Sequence, residues 1–321
     1  MPNSVIDALL PVVLLIFIGF MVSKKGWLKL SAIQDVSNLA FLILGPALFF
    51  RSMSQVRLSE LHFKPVTIYF IAICVVFTAV LYIQGYNRRG TILALSATFS
   101  NVTMIGVPLV NFAWGQQGLI VLFSLMSVHS LIMFSLVTSL LEFSVLRENL
   151  QLGKEGRYNS KVKTLTITLV RAAKRSFFHP VPFPIICGML FGLTGIKLPQ
   201  SLDNTLILLG NAFSPIALIL VGMTLAKGAF SMKWKMPVMM AVAKSIIHPA
   251  ILIFIGMLTG LKGVEFKVMV VAAALPIGAN VYLFAQRYHV SQQEIMAGVA
   301  MSTILGMITL PAVIYIVSLL S

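Results

Sequence analysis

The sequence predicts an all-α polytopic membrane protein with ten transmembrane helices. Hydrophobic residues fill 58% of its 321 positions and charged residues only 10%, and the mean hydropathy is +0.96. A soluble domain carries about 25% charged residues. Apolar stretches of about 20 residues, the length needed to cross the hydrocarbon core, recur along the whole chain.

Five apolar segments can be placed in each half of the chain. They cover 5–23, 33–52, 64–85, 92–113 and 117–146 in the first half, and 177–196, 202–226, 236–260, 266–287 and 293–320 in the second. The fifth is longer than one span, so we expect it to tilt or to project beyond the membrane. The polar, basic stretch between the halves predicts three parts: a first five-helix repeat over 1–146, a basic cytoplasmic loop over 147–176 and a second repeat over 177–321.

The basic residues predict the orientation of the chain. With the N-terminus outside, seventeen of the 24 Lys and Arg residues fall in inner loops and six in outer loops, while Lys244 lies within a span. An excess of Lys and Arg marks cytoplasmic loops, so we expect both termini on the outer side. The net charge of +15 is therefore explained by membrane topology, and nucleic acid is not expected as a partner.

The two halves share a pattern of helix breakers. Five spans is an odd number, so two similar halves would enter the membrane from opposite sides and form an inverted repeat. The second segment of each half carries a mid-helix proline, Pro46 or Pro215, and the fourth is interrupted, by Asn101…Pro108 or by Pro276…Asn280. Lipid cannot satisfy the backbone groups that a break frees, so a matched pair of breaks predicts a binding site.

The interrupted segments suggest an anion site. A broken helix presents free N–H groups and a positive dipole end at mid-membrane. The amides of Asn101 and Asn280 could bind a carboxylate there or serve as helix caps. The hydroxyls of Ser100 and Thr103 could add contacts or bond to their own backbone.

Lys244, His248 and His129 lie well inside predicted spans, where ionisable groups are costly and are candidates for function. Lys244 and His248 are spaced i, i+4 and share a helix face. They could supply positive charge to an acidic substrate, or Lys244 could extend to the inner interface. His129 could carry a proton or be a packing residue.

Other classes of function find little support in the sequence. No carboxylate falls clearly at mid-depth, and amides occupy the breaks, which argues against a cation antiporter. The chain has no HExxH, GxSxG or ATP-binding loop motif, so we expect neither an enzyme with catalytic residues nor an ATP-driven pump. We also expect no metal site and no cofactor.

The chain resembles the auxin efflux carrier family, including its bacterial malonate or malate carriers. The resemblance rests on Leu10-Pro11, Lys24-Lys25-Gly26-Trp27-Leu28, Leu44-Gly45-Pro46-Ala47-Leu48, Asn101…Gly106-Val107-Pro108 and Leu275-Pro276…Asn280. It implies ten spans in two inverted repeats, with broken helices 4 and 9 crossing as in the sodium/bile acid symporters. It also matches Asn101, Pro108, Pro276 and Asn280 to the crossover elements, and implies a transport bundle that moves against a scaffold of spans one, two, six and seven.

Together these observations predict a secondary active transporter of small organic anions in the bacterial inner membrane, with malonate or a related dicarboxylate as the first candidate substrate. A hydrophobic monocarboxylate (auxin-like) exporter and an anion channel are the alternatives. Coupling to a proton or a sodium gradient stays open, and a homodimer through the scaffold helices is possible. The predicted substrate-binding residues are Asn101, Pro108, Pro276, Asn280, Ser100, Thr103, Lys244 and His248.

Overall fold

The computed structural model describes residues 2–29, 31–55, 63–151, 180, 182–226, 234–278 and 280–320. Within these residues the fold is helical and no β-strand occurs; eleven helices are labelled α1 to α11 in chain order. They are α1 (Pro2–Lys24), α2 (Ala32–Ser54), α3 (Phe63–Gln84), α4 (Arg88–Thr98), α5 (Val107–Gln151), α6 (Pro182–Leu193), α7 (Gln200–Ala226), α8 (Lys235–Leu258), α9 (Gly263–Ala274), α10 (Asn280–Arg287) and α11 (Gln292–Leu319). Helix α5 is kinked at Gly115, whose φ of 55° and ψ of −144° are not helical.

The chain is a multi-pass membrane protein. Within the described ranges, six helical stretches are long and apolar enough to cross a bilayer by length and composition, and they correspond to α2, α3, α5, α7, α8 and α11. Shorter apolar helices lie at Leu10–Lys24 and Phe183–Leu193. The predicted segments 92–113 and 266–287 each correspond to two helices separated by a break. The predicted loop 147–176 lies outside the described residues except for 147–151, which continue α5.

In the part of the chain that the structure describes, three π-helical turns widen the helices just ahead of prolines. The turns are Ala40–Leu44, Val102–Gly106 and Ala243–Ile247, and each ends two residues before a proline, Pro46, Pro108 or Pro249. Proline lacks an N–H and clashes with the carbonyl four residues earlier, so a wider turn relieves the clash. The sequence therefore bends these helices at defined points.

Helices α1, α2, α6 and α7 pack together and are called the scaffold here. Packing is most extensive between α1 and α7 and between α2 and α6. A Cβ atom at Gly19 would overlap the Ile219 carbonyl, one at Gly222 the Ile16 carbonyl and one at Gly188 the Phe50 carbonyl. These glycines bring helix backbones into direct contact, the packing that small residues allow in membranes.

Helices α3, α4, α5, α8, α9, α10 and α11 form the second group, called the crossover bundle. Its centre is α4 and α9, the helices that lead into the two breaks. Every residue of α4 from Gly90 to Thr98 is buried, as is almost all of α9 from Phe266 to Ala274. The helices that lead into the two breaks are therefore enclosed by protein.

Candidate functional site

The first break separates α4 from α5. Helix α4 begins at the cap Asn87, whose side chain accepts a hydrogen bond from the Gly90 amide at 2.9 Å, and ends at Phe99, whose backbone is extended. Asn101 then caps the next turn, because its Oδ1 accepts from the Met104 amide at 3.4 Å. Pro108 lies beyond the break, near the start of α5, and the π turn Val102–Gly106 before it accommodates the proline ring and its missing N–H.

The second break separates α9 from α10. Helix α9 ends at Ala274, and Leu275 turns the backbone away from helical geometry with a ψ of 149°. Pro276 lies within this break and is buried. Asn280 is the first residue of α10, so both predicted asparagines stand where a half-helix begins.

The two breaks cross as a short antiparallel pair. The Asn101 amide donates to the Pro276 carbonyl at 2.8 Å, and the Gly278 amide donates to the Phe99 carbonyl at 2.9 Å. Ser100 and Ile277 lie opposite each other between these bonds. A Cβ atom at Gly278 would overlap the Phe99 ring, so only glycine fits this close approach.

A side chain from α11 completes the hydrogen bonding of the crossing. The Ile277 amide donates to Ser302 Oγ at 3.0 Å, and Ser302 in turn donates to the Val299 carbonyl at 3.0 Å. Ile277 has no exposed surface, so its amide has no access to solvent. The crossing is thus fixed to α11 as well as to itself.

The sequence-predicted residues occupy two environments at this crossing. Asn101, Thr103 and Asn280 are partly exposed, whereas Pro108, Pro276 and Ser100 are buried. Ser100 donates to the Ala272 carbonyl of α9 at 2.6 Å, and its oxygen lies 3.3 Å from the Tyr69 hydroxyl of α3. The asparagines and Thr103 therefore offer accessible surface to a ligand, while Ser100 joins the two arms.

Lys244, His248 and His129 form a buried polar cluster beside the crossing. Lys244 and His248 have no exposed surface and His129 is 3% exposed. Lys244 Nζ donates to the Ala273 carbonyl, one residue before the end of α9. The alternative in which Lys244 extends to the membrane interface is therefore wrong, because the Lys244 side chain points from α8 toward the broken helix α9.

Aromatic rings connect the members of the polar cluster. The Tyr69 ring centroid lies 5.8 Å from that of His129 and 5.6 Å from that of His248, and the Phe99 ring lies 5.0 Å from His129. His129 Nε2 and both ring nitrogens of His248 are buried without a hydrogen-bond partner. Such unpaired polar atoms are uncommon in native proteins and call for a functional explanation.

An apolar crevice lies between the crossing and the scaffold. Helices α1 and α11 and the two breaks contribute its walls. The lining residues are Val12, Val13, Ile16, Ile105, Pro276, Thr303, Gly306, Met307, Leu310 and Pro311. Its lining is almost wholly apolar, and the Thr303 hydroxyl, which donates to the Val299 carbonyl of its own helix, is the one side-chain hydroxyl among these residues.

Charged residues join the helices of the crossover bundle at the end that bears Arg88. Arg88 pairs with Glu148 of α5 at 2.6 Å, and Arg89 pairs with Glu294 of α11 at 3.2 Å. The Tyr288 hydroxyl, in the turn after α10, donates to Glu142 of α5 at 2.9 Å. Burial raises the pKa of Tyr288 above its usual range, so the phenol stays a donor. These contacts hold α4, α5, α10 and α11 together.

Sequence reasoning missed Tyr69, Ser302 and Ser245 as members of the site. Tyr69 could have been suspected, since it is a polar group in the middle of an apolar segment. Ser302 carried no such signal, because serine is common in membrane helices and its role depends on a partner 25 residues away. Ser245 lies beside Lys244, and its buried hydroxyl has no partner.

Comparison with known proteins extends over nearly the whole chain. Residues 4–314 match a family described as membrane transport protein. "Uncharacterized transporter YfdV" of Escherichia coli K12 is 23% identical over 98% of both chains. "Putative malonate transporter" of Rhizobium meliloti is 23% identical, covering 96% of this chain and 94% of that one. "Auxin efflux carrier component 8" of Arabidopsis thaliana is 20% identical over 98% of both.

Proposed function

This chain belongs to the membrane transport protein family, and we propose that it is a secondary active transporter of small organic anions that binds them at the crossing of its two broken helices. The chain is a membrane transporter and not an enzyme. The observation that carries the proposal is the crossing itself: two half-helices begin at Asn101 and Asn280, and both residues are partly exposed.

The start of a helix attracts anions. The first amides of a helix lack partners within it, and the helix dipole is positive at that end. At the crossing, two such starts are held in one place by the hydrogen bonds between Asn101, Pro276, Gly278 and Phe99. A carboxylate bound there would accept hydrogen bonds from backbone amides and from the Asn101 or Asn280 side chain.

The proposed architecture is ten spans in two inverted repeats. Two backbone contacts support it, Gly19 with Ile219 and Gly188 with Phe50. Gly188 follows Gly19, and Ile219 follows Phe50, by the same number of residues, so the two contacts are equivalent if the second half repeats the first. The same interval separates Pro46 from Pro215. An antiparallel bridge such as Ser100–Ile277 has local two-fold symmetry, as expected where two repeats of opposite direction meet.

Alternating access would move the crossover bundle against the scaffold. The described ion pairs support this division. Arg88–Glu148 and Arg89–Glu294 each join two helices of the crossover bundle, whereas Arg51–Asp203 joins α2 to α7 within the scaffold. The apolar crevice lies between the two groups of helices, so a ligand at the crossing would meet both.

Malonate or a related dicarboxylate is the first substrate proposed, supported by the name of the Rhizobium relative. The alternative, a hydrophobic monocarboxylate such as an indole acid, is favoured by the apolar lining of the crevice. Lys244 and His248 have no surface accessible to a ligand in this conformation, so a second carboxylate would not meet them there.

The proposed orientation rests on the charge distribution, and the proposed membrane rests on the bacterial relatives. We place the protein in the bacterial inner membrane with both termini on the outer side, so that the Arg88 end of the crossover bundle faces the cytoplasm. The outward apolar surface of the scaffold would contact lipid or form a homodimer. A reporter that is active only in the cytoplasm should be inactive when it is fused to the C-terminus. Activity of this fusion would contradict the proposed orientation.

Exchange of labelled substrate in proteoliposomes tests the proposed function. Vesicles loaded with unlabelled malonate or an indole acid are diluted into the same labelled compound at equal pH, and uptake is measured against protein-free vesicles. A carrier gives saturable uptake that is accelerated by internal substrate. Flux without saturation would indicate a channel, and no exchange with any carboxylate of a broad panel would refute the proposal.

A further inference from the structure

We propose that Lys244, His248 and His129 form the proton-coupling site of this transporter, and that one proton bound there moves together with the carboxylate. This inference rests on the proposed function and adds the coupling ion and its binding groups. Three buried basic side chains meet beside the crossing, and three of their imidazole nitrogens have no partner. Each unpaired nitrogen could accept or release a proton.

The chemistry of the cluster favours a proton over a metal cation. Sodium and other hard cations prefer several oxygen ligands, whereas the cluster presents an amine and two imidazoles. The Ala273 carbonyl, which could serve a cation, already accepts from Lys244 Nζ. Among the described residues no carboxylate forms an ion pair with Lys244; Glu142, Glu148, Asp203 and Glu294 have partners elsewhere.

The groups that face Lys244 limit the cluster to few protons. His248 lies on its own helix, His129 comes from α5 and Tyr69 from α3. Helix α9 offers the Ala273 carbonyl. Each ionisable residue of α4, α9 and α11 lies either near a helix end or many residues from the crossing in sequence. They are Arg88, Arg89, Glu265, Lys267, Glu294 and Tyr315. Adjacent positive charges in a dry interior repel each other, so one proton at a time is expected.

Two hydrogen bonds connect the cluster to the crossing. Lys244 donates to Ala273, and Ser100, next to Asn101, donates to Ala272 at 2.6 Å. Both carbonyls lie in the last turn of α9, the negative end of its dipole, where an ammonium is favoured over a neutral amine. When Lys244 loses its proton, its hydrogen bond to the Ala273 carbonyl therefore weakens. This bond holds the end of α9, which is also one arm of the anion site.

The sign of the coupling follows from charge. A proton on the cluster places positive charge near the half-helix starts that would bind the carboxylate, so proton and anion stabilise each other's binding. Such coupling is reciprocal, and it predicts symport. With the membrane potential clamped at zero, one coupled proton gives about tenfold accumulation per pH unit.

The experiment uses proteoliposomes with the full chain and a carboxylate that exchanges at equal pH. An inside-alkaline gradient of one pH unit is imposed with the potential clamped, and in a parallel sample a sodium gradient replaces it. We expect about tenfold accumulation with the pH gradient and none with sodium. Wild-type exchange without pH-driven accumulation would overturn the inference, whereas absence of exchange would refute the proposed function instead.

Variants assign the proton to the cluster. Lys244→Gln and the double variant His129→Gln/His248→Gln should lose pH-driven accumulation, measured relative to each variant's own exchange at equal pH. Lys235→Gln on the same helix and His289→Asn in the turn before α11 are matched controls, since both residues are exposed. Full accumulation in both cluster variants would also overturn the inference. The wild-type measurement decides the coupling ion even if a variant fails to fold.

Discussion

The scaffold and the crossover bundle solve the problem of packing helices in a membrane in different ways. In the scaffold, Gly19, Gly188 and Gly222 bring backbones into contact. In the crossover bundle, broken helices are held by backbone hydrogen bonds and by buried side chains such as Ser302 and Lys244. The scaffold depends on shape, and the bundle depends on satisfying polar groups.

This difference indicates where conformational change can occur. Where glycine brings two backbones into contact, the helices have no room to shift against each other. We therefore expect α1 with α7, and α2 with α6, to move as fixed pairs. The crossover bundle has its own bracing at the Arg88 end, yet it keeps unpaired imidazoles and a π turn in α8 next to the crossing. We expect substitutions at the scaffold glycines to affect stability, and those at the two half-helix starts of the bundle to affect ligand binding.

The largest effect on stability is expected from Gly222→Leu in the scaffold. The new side chain would overlap the Ile16 carbonyl, and overpacking costs about 3 kcal/mol at its upper range. The melting temperature of the purified protein should fall by about 6 °C. Asn211→Leu on the exposed face of α7 adds a similar group without the clash, and an equal loss there would mean that the close contact is unimportant.

In the crossover bundle, Asn101→Ala and Asn280→Ala should reduce ligand affinity much more than stability. Each removes an amide at the start of a half-helix, and a hydrogen bond to a charged ligand contributes about 2 kcal/mol. Affinity for the exchanged carboxylate should fall about thirtyfold, while the melting temperature falls by only about 2 °C, from the loss of the Asn101 cap. Calorimetric titration measures the first and thermal unfolding the second, with Asn38→Ala on exposed α2 as control. Unchanged affinity in both variants would refute the crossover site.

Ser302→Ala tests whether the crossing needs its support from α11. The substitution leaves the buried Ile277 amide without an acceptor, at a cost of about 1.5 kcal/mol. The melting temperature should fall by about 3 °C. The neighbouring Thr303 bonds to its own helix, so Thr303→Val should be close to neutral. A similar loss for the two variants would assign the effect to general packing of α11.

The smallest effect is expected from the Arg51–Asp203 pair of the scaffold. Both side chains are about a quarter exposed, at 25% and 26%, and such pairs contribute about 0.5 kcal/mol. A double-mutant cycle of Arg51→Gln and Asp203→Asn, followed by thermal unfolding, measures the coupling energy. A coupling above about 2 kcal/mol would mean that the scaffold also depends on polar contacts, which would weaken the contrast between the two regions.

Much of the fold could be predicted because the determining signals are local. Apolar segment length predicted helices that the structure places at nearly the same positions, and the helix breakers predicted the interruptions near Asn101 and Pro276. Two details differ: Pro108 lies in α5 beyond the break, and α5 continues to Gln151. The basic loop and the ten-span topology remain predictions, since most of 147–176 lies outside the described residues.

The candidate site was harder to predict because its contacts are long-range. Lys244 on α8 bonds to a carbonyl 29 residues away, and Ser100 bonds to one 172 residues away. Sequence spacing paired Lys244 with His248 but could not choose between the membrane interface and the interior. Ser302 and Tyr69 gained their roles only from neighbours on other helices.

The sequence by itself determined that this chain is a helical membrane protein and where its helices are interrupted, because apolar length and the chemistry of proline, glycine and asparagine act within a few residues. Only the tertiary structure decided that the two interruptions cross and bond to each other, and that Lys244 turns inward beside them. Those outcomes depend on which buried donors and acceptors come together when helices distant in sequence pack, and no local sequence pattern predicts those contacts.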